Sequence, residues 1–185
     1  VFADIDKNNF NIDIESIKRS ITKKTKAILA VDIFGQSADI FSILKLAKKY
    51  NLKVISDSAQ AIGTKINGKY SGTIADVGGF SLNYHKHINS GEGGILVTNN
   101  SKIYKKLTLI RNHGEMAVTN KTKKKELINI IGHNFRLGEI ECAIGIQQLK
   151  KLNLLIKKRK ILTNRLTKGL KNLISLCGLI LFLTI

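Results

Sequence analysis

A strand, an amphipathic helix and a second strand follow one another early in the chain, and this order constrains the fold more than any other feature. Residues 27–34 form a short apolar run, which is typical of a buried strand. Apolar side chains then recur at helical spacing over residues 40–50, and residues 53–56 predict the next strand. This order predicts a parallel α/β sheet. Ligands bind beyond the carboxyl ends of such strands, where Asp57 should lie.

Further elements are predicted downstream of Asp57. Residues 77–82 and 94–98 have strand patterns, and they bracket a glycine-rich segment that contains Lys86. An Asn67-Gly68 pair predicts a tight turn between two short strands. Residues 114–130 are expected to form a mobile loop. Helical spacing recurs over residues 101–110, 137–149 and 152–170.

The chain is strongly basic, with 31 Lys and Arg residues against 13 Asp and Glu residues and a net charge of +18. Such a charge could attract nucleic acid, an anionic membrane surface or a phosphorylated ligand. The basic residues are spread over several helices without interleaved aromatic side chains, and the lysine run at 121–125 reads as a solvated face. We therefore expect no nucleic-acid partner.

Two further features bear on location. Cys142 and Cys177 are too few for a disulfide framework, which favours a reducing, cytoplasmic setting. The apolar tail at residues 173–185 is shorter than the about 20 residues that a helix needs to cross a bilayer. We expect no membrane span.

Lys86 and Asp57 are the residues whose chemistry says most about function. A lysine that forms a Schiff base must lose its proton near neutral pH, which desolvation and nearby cationic groups favour. Lys86 stands between His85 and His87, and glycines that permit a close backbone turn follow it. A carboxylate such as Asp57 keeps a pyridine nitrogen protonated. Together these residues point to pyridoxal phosphate. Taken alone, Lys86 is interpreted as a surface lysine, and Asp57 as an aspartate that caps a helix or stabilises a turn.

Two neighbouring polar residues could complete such a site. Gln60 is placed either to reach the cofactor's ring hydroxyl or to cap the following turn. Ser81 is placed either to donate to a phosphate oxygen or to bond the backbone at a strand end. We assign no metal ligand.

Five segments together carry a resemblance to a known family. They occur in the expected order at residues 28–39, 54–61, 81–94, 111–114 and 132–137. From about residue 1 to about residue 170 the chain resembles the DegT/DnrJ/EryC1/StrS family of pyridoxal-phosphate-dependent sugar aminotransferases. The resemblance implies an aspartate-aminotransferase-like large domain of fold type I, an α/β fold with a mostly parallel sheet flanked by helices.

The resemblance also implies an activity and a set of site residues. The activity is transfer of an amino group from L-glutamate to a keto group of a nucleotide-linked sugar, by a homodimer with a shared active site. Such sugars serve cell-surface polysaccharide or related biosynthesis. Lys86 matches the Schiff-base lysine, Asp57 the partner of the pyridine nitrogen, Gln60 a ring contact and Ser81 a phosphate ligand. Asn134 matches an asparagine that reaches the cofactor phosphate across the dimer interface.

The resemblance covers only part of the family pattern, so we expect a truncated copy. The Gly-Thr phosphate-binding segment and the aromatic residue that stacks on the ring are not found. We divide the chain into a partial cofactor-binding large domain at residues 1–150, a long helix at 151–172 leading toward the small domain, and an unassigned apolar tail at 173–185.

Two other functions are compatible with this sequence. Some family members carry histidine at the lysine position and dehydrate the sugar, but the spacing from Ser81 to Gly91 puts Lys86 in register rather than either neighbouring histidine. A non-catalytic fragment is the second alternative.

Overall fold

The computed structural model describes residues 1–115 and 130–170. The predicted loop at 114–130 lies almost wholly outside the described residues, as do the lysine run at 121–125 and the apolar tail at 173–185. The strands are β1 (Ala27–Val31), β2 (Lys53–Asp57), β3 (Lys65–Ile66), β4 (Lys69–Tyr70), β5 (Val77–Ser81) and β6 (Gly94–Val97). The α-helices are α1 (Ile14–Ser20), α2 (Ile40–Lys49), α3 (Ser101–Arg111), α4 (Glu139–Leu149) and α5 (Leu152–Leu170).

Four of these strands form one sheet in the order β1-β2-β5-β6. Strands β1, β2 and β5 run parallel, and β6 runs antiparallel to β5. Val31 pairs with Asp57, and Asp57 in turn pairs with Gly79, so the carboxyl ends of three parallel strands meet at one edge. The predicted βαβ order is therefore confirmed.

The apolar run that predicted the first strand is longer than the strand itself. Strand β1 ends at Val31, and a short 3-10 turn follows at Ile33–Gly35. Phe34 within that turn has a φ of 56°, which lies in the left-handed region. The polypeptide therefore leaves the sheet at Asp32, although Ile33 and Phe34 beyond it are still apolar.

The small hairpin and the helix start follow local rules. Strands β3 and β4 are joined by Asn67 and Gly68, both with positive φ, as the Asn-Gly pair predicts. Helix α3 begins after Asn100, whose side chain accepts hydrogen bonds from the backbone of Lys102 and Ile103.

One face of the sheet is covered and the other is open in the described part of the chain. Ile28, Ala30 and Val54 are buried against apolar residues of α1 and α2 in a single core cluster. The alternate residues point away: Leu29 is 55% exposed and Ile55 is 37% exposed. The core therefore lies on one side of the sheet.

The last two helices contribute little to this core. Helices α4 and α5 contain no buried residue, and apolar side chains such as Ile140 and Leu162 remain exposed. Helix α5 lies over Gly63, where an added Cβ would come within 2.5 Å of Ile156. Of the helices described, none combines the length and apolarity that crossing a bilayer requires.

Candidate active site

Asp57 and Ser81 end neighbouring parallel strands at the carboxyl edge of the sheet. Asp57 is paired with Gly79, and Ser81 lies two residues further along the same strand. Because side chains alternate along a strand, Asp57 and Ser81 point to the same face. It is the open face of the sheet. The structure thus brings together two of the five predicted site residues.

The Asp57 carboxylate is half-buried and only partly engaged. One oxygen, Oδ1, accepts a hydrogen bond from the backbone N–H of Ala59 at 3.1 Å. Within residues 1–115 and 130–170, no donor is hydrogen-bonded to Oδ2. The backbone carbonyl of Asp57 accepts from the N–H of Asp32 at 2.9 Å. The main chain is fixed while one carboxylate oxygen stays available.

A second carboxylate lies behind this strand end, and the sequence analysis did not identify it. Asp32 is 1% exposed and accepts four hydrogen bonds. Its Oδ1 accepts from the N–H of Ala38 at 2.9 Å, and its Oδ2 accepts from three serine hydroxyls. The serines are Ser56, Ser58 and Ser71. The only signal in the sequence is that Ser56 and Ser58 stand on either side of Asp57. The local sequence does not show that their hydroxyls contact Asp32.

Gln60 contacts the turn that follows β1. Its Oε1 accepts a hydrogen bond from the N–H of Phe34 at 2.9 Å. The Phe34 ring packs edge-on against Phe10, with ring centroids 6.3 Å apart. With the carbonyl oxygen fixed in this way, the Gln60 amide presents its NH2 group as the remaining donor.

Lys86 lies in the loop that joins β5 to β6. The loop is closed at its base by the N–H of Leu82, which donates to the carbonyl of Gly93 at 2.8 Å. The N–H of Lys86 donates to the carbonyl of Asn83 at 2.9 Å, forming a turn, and Asn83 also bonds Glu92. The lysine is half-buried. No hydrogen bond or ion pair of its amine is found among the described residues.

Ser81 begins the same loop. Its Oγ accepts a hydrogen bond from the N–H of Asn83 at 3.2 Å, which is the backbone bond that the sequence left open as an alternative. A hydroxyl can accept and donate at once. In the described part of the chain the hydroxyl hydrogen of Ser81 has no acceptor, so donation to a phosphate oxygen remains possible.

The two histidines beside Lys86 have different surroundings. His85 is exposed and stacks on Tyr84, with ring centroids 3.7 Å apart. Burial lowers the pKa of His87 below its usual value of 6.5, and the positive charge of Arg159 on α5 lowers it further. His87 is therefore a neutral imidazole at pH 7, next to the lysine.

Asn134 lies in the segment that pairs with the end of α3, not at a strand end of the sheet or in the Lys86 loop. It forms an isolated bridge with Asn112 at the end of α3, and Asn112 also accepts a hydrogen bond from Arg136 at 2.6 Å. Asn134 itself is exposed. The nearby Leu137 packs against Gly93, which links this segment to the Lys86 loop. No described hydrogen bond joins Asn134 to the strand ends.

Comparison with known proteins agrees with this architecture. Residues 1–179 match the model of a single aminotransferase family. The chain belongs to the DegT/DnrJ/EryC1/StrS aminotransferase family.

Relatives and solved structures of this family align along most of the chain. GDP-perosamine synthase of Vibrio cholerae is 39% identical over 160 residues, which are 86% of this chain and 42% of that protein. Helicobacter pylori PseC, an aminotransferase involved in the biosynthesis of pseudoaminic acid, superposes with a TM-score of 0.81 at 40% identity and covers 91% of this chain. GDP-4-keto-6-deoxy-D-mannose-3-dehydratase of E. coli, solved with bound hydrated PLP, gives a TM-score of 0.80 at 34% identity over 92% of this chain.

The likeness confirms the predicted fold class, an aspartate-aminotransferase-like large domain. The chain spans less than half the length of these relatives: 42% of the Vibrio cholerae protein, 45% of PseC and 47% of the E. coli dehydratase.

Proposed function

We propose that this chain is part of a pyridoxal-phosphate-dependent aminotransferase that moves an amino group from L-glutamate to a keto group of a nucleotide-linked sugar. One observation carries the proposal. Asp57 and Ser81 share one face at the carboxyl edge of the sheet, and the loop with Lys86 begins directly at Ser81. A carboxylate and a hydroxyl thereby share the sheet edge where α/β proteins bind ligands, and the loop that carries the Lys86 amine starts at that edge.

The free atoms of these side chains fit pyridoxal phosphate. The cofactor needs an amine for its aldehyde, an acceptor for its protonated ring nitrogen, and donors for its ring oxygen and its phosphate. The amine is Lys86 Nζ and the acceptor is Asp57 Oδ2. The two donors are the Gln60 amide NH2 and the hydroxyl hydrogen of Ser81. Among the described residues, none of these atoms has a competing hydrogen-bond partner.

Each of these residues would have a separate role in the reaction. When bound, the cofactor supplies an electron sink for the negative charge that develops at the substrate carbon. Asp57 would hold the proton on the ring nitrogen, and Gln60 would orient the ring. Lys86 would be the general base that takes the proton from the α-carbon of L-glutamate in the first half-reaction and the general acid that delivers a proton to the sugar carbon in the second. His87 is neutral, so it does not supply the cationic neighbour that the sequence analysis considered for Lys86.

The relatives' names support the substrate class, and the chain's geometry supports a shared site. The backbone of Asn134 is held in a β-bridge with Asn112 and the residue is exposed, as expected for a side chain that serves the partner of a homodimer. We assign residues 1–150 to a partial large domain, 151–172 to a helix leading to a small domain and 173–185 to no domain. A cytoplasmic location fits the free thiol of Cys142.

A second candidate is dehydration of the sugar, because the E. coli structural neighbour is a dehydratase. Lys86 opposes this alternative, since a lysine that holds the cofactor also supplies the proton transfer needed for amination. A third candidate is a fragment without turnover.

The first experiment is borohydride reduction in the presence of pyridoxal phosphate, followed by peptide mapping. We expect the reduced cofactor on Lys86 and a complete loss of that label in Lys86→Ala. Lys45→Ala, which removes an exposed lysine on α2, is the matched control and should label fully. A folded protein that carries no label at Lys86 would contradict the proposal.

The reaction type needs a second readout. With L-glutamate and a keto-sugar nucleotide, amination produces 2-oxoglutarate in proportion to aminated sugar. Dehydration instead removes a hydroxyl from the sugar as water, and the product contains no new nitrogen. Mass spectrometry of the sugar product therefore separates the two candidates.

A further inference from the structure

We propose that Asp32 is a positioning residue that holds Asp57 against the cofactor's ring nitrogen; this inference rests on the proposed function. Asp32 directly follows β1, which is the strand paired with β2 and Asp57, and it is 1% exposed. Its carboxylate accepts from Ala38 N–H at 2.9 Å and from the hydroxyls of Ser56, Ser58 and Ser71 at 3.0, 2.5 and 2.5 Å.

Two of these donors flank Asp57 directly. Ser56 and Ser58 point to the buried side of the sheet, while Asp57, between them, points to the open side. Both hydroxyls are held by the same oxygen of Asp32, and the N–H of Asp32 donates to the carbonyl of Asp57. These contacts from the buried face of the sheet fix the peptide units on both sides of Asp57, and this sets the direction of the Asp57 carboxylate.

The third serine donor, Ser71, is positioned by an unusually close backbone contact. A Cβ added to Gly78 would lie 1.6 Å from the carbonyl oxygen of Gly72, so the segment 71–72 lies directly on β5. Gly72 has a φ of +81°, and this conformation turns Ser71 back toward Asp32. Three separate segments of the chain converge on one carboxylate.

A functional role explains why a buried carboxylate is used here. A catalytic group must be held within about 0.5 Å of its working position by a supporting shell of hydrogen bonds. A buried carboxyl group that accepts four hydrogen bonds gives a stiffer, more directional anchor than an apolar contact. The network lies on the side of the sheet opposite the site, so it touches no ligand.

The test compares Asp32→Asn and Ser71→Ala with the control Ser16→Ala. Ser16 is also a buried serine, but it bonds Asp4 at α1, away from the network. The first readout needs no cofactor: amide hydrogen exchange of Asp32 and Ser58. We expect about ten- to hundredfold faster exchange in Asp32→Asn and about tenfold in Ser71→Ala. The control should stay within about twofold of the unmodified chain.

The second readout is the pH midpoint of the bound cofactor's visible absorbance, which reports protonation of the ring nitrogen. A displaced Asp57 stabilises that proton less, so the midpoint should fall in both network variants and stay unchanged in Ser16→Ala. Ser71→Ala keeps the proposal testable if Asp32→Asn does not fold.

The outcomes separate this inference from the proposed function. Faster exchange with an unmoved midpoint overturns the positioning role, since the network would then serve stability alone. Unchanged exchange at both amides also overturns it. If the unmodified chain takes no cofactor, the proposed function fails. Exchange then decides alone: a local increase at Asp32 and Ser58 supports the anchor, and no increase overturns it.

Discussion

At the residue scale, the Lys86 loop and α5 influence one another through charge. His87 is partly buried, and the positive charge of Arg159 on α5 acts on its imidazole. Both burial and this positive charge oppose protonation of the imidazole, so they lower its pKa. Arg159 thus helps to keep a neutral ring beside the lysine.

Replacing Arg159 with glutamine should raise the pKa of His87 toward 6.5, because it removes one of the two causes of the lowered pKa and leaves only burial. The measurement is an NMR titration of the imidazole C2–H. Lys160→Gln removes a charge of the same sign from the neighbouring position of the helix and should leave the pKa in place. Equal shifts in both variants would mean that His87 senses the net charge of α5 rather than Arg159.

The lowered pKa also fixes the sign of a pH effect on stability. Between the folded-state pKa and 6.5 the unfolded chain binds a proton that the folded chain does not bind. This group therefore contributes stability above pH 6.5 that is lost as the pH falls. Arg159→Gln should flatten that part of the curve.

At the element scale, β5 depends on the absence of a side chain at Gly78, because the backbone of Gly72 lies directly against it. The carbonyl of Gly72 occupies the space where a side chain of residue 78 would begin. Strand β5 pairs with both β2 and β6, so any displacement would reach Asp57 and Gly94 as well. The contact is a structural requirement of the sheet edge that carries the site.

Gly78→Ala should therefore destabilise the fold by about 3 kcal/mol or more, since a backbone carbonyl would have to move. Gly145→Ala on α4 is the matched control. Its new methyl would lie 3.9 Å from Leu82, in ordinary contact, and a helical alanine should add about 0.5–1 kcal/mol. Urea unfolding measures both changes. A Gly78→Ala chain as stable as the unmodified one would show that the two segments are not in contact.

Local patterns were sufficient for part of this architecture. The βαβ order and the strand end at Asp57 follow from periodicity over short windows, and the turn at Asn67-Gly68 follows from its residue types. The Asp32 network was not foreseen, because it joins Asp32 to Ser71 across the fold and a sequence gives no partner for a buried carboxylate. The backbone bridge between Asn134 and Asn112 likewise joins segments that are distant in sequence.

At the scale of the whole molecule, the described residues cover one face of the sheet and leave the other face open. Leu29, Ile55 and Leu96 lie on the open face and are 55%, 37% and 59% exposed. Parallel sheets in α/β proteins have both faces covered. The face that carries Asp57 and Ser81 is therefore also an apolar surface, which favours binding of apolar dyes and self-association.

Leu29→Lys should lower dye fluorescence and self-association while changing the unfolding free energy by less than about 1 kcal/mol. Ile28→Lys, one position away, places the same charge on the buried face and should cost about 3 kcal/mol or more. Fluorescence of an anilinonaphthalene dye, sedimentation and urea unfolding give the three quantities. Equal destabilisation by both variants would mean that the open face is covered.

The antiparallel direction of β6 has a consequence for how the site assembles. Ser81 and Gly94, which close the lysine loop, are separated by half as many residues as Val31 and Asp57, which close the βαβ crossover. Doubling a closed loop costs about 0.6 kcal/mol in chain entropy, and the crossover must also order α2. The loop that carries Lys86 is thus the less costly closure, whereas Asp57 reaches its place only when α2 docks. The amine and the carboxylate of one site depend on two separate ordering steps.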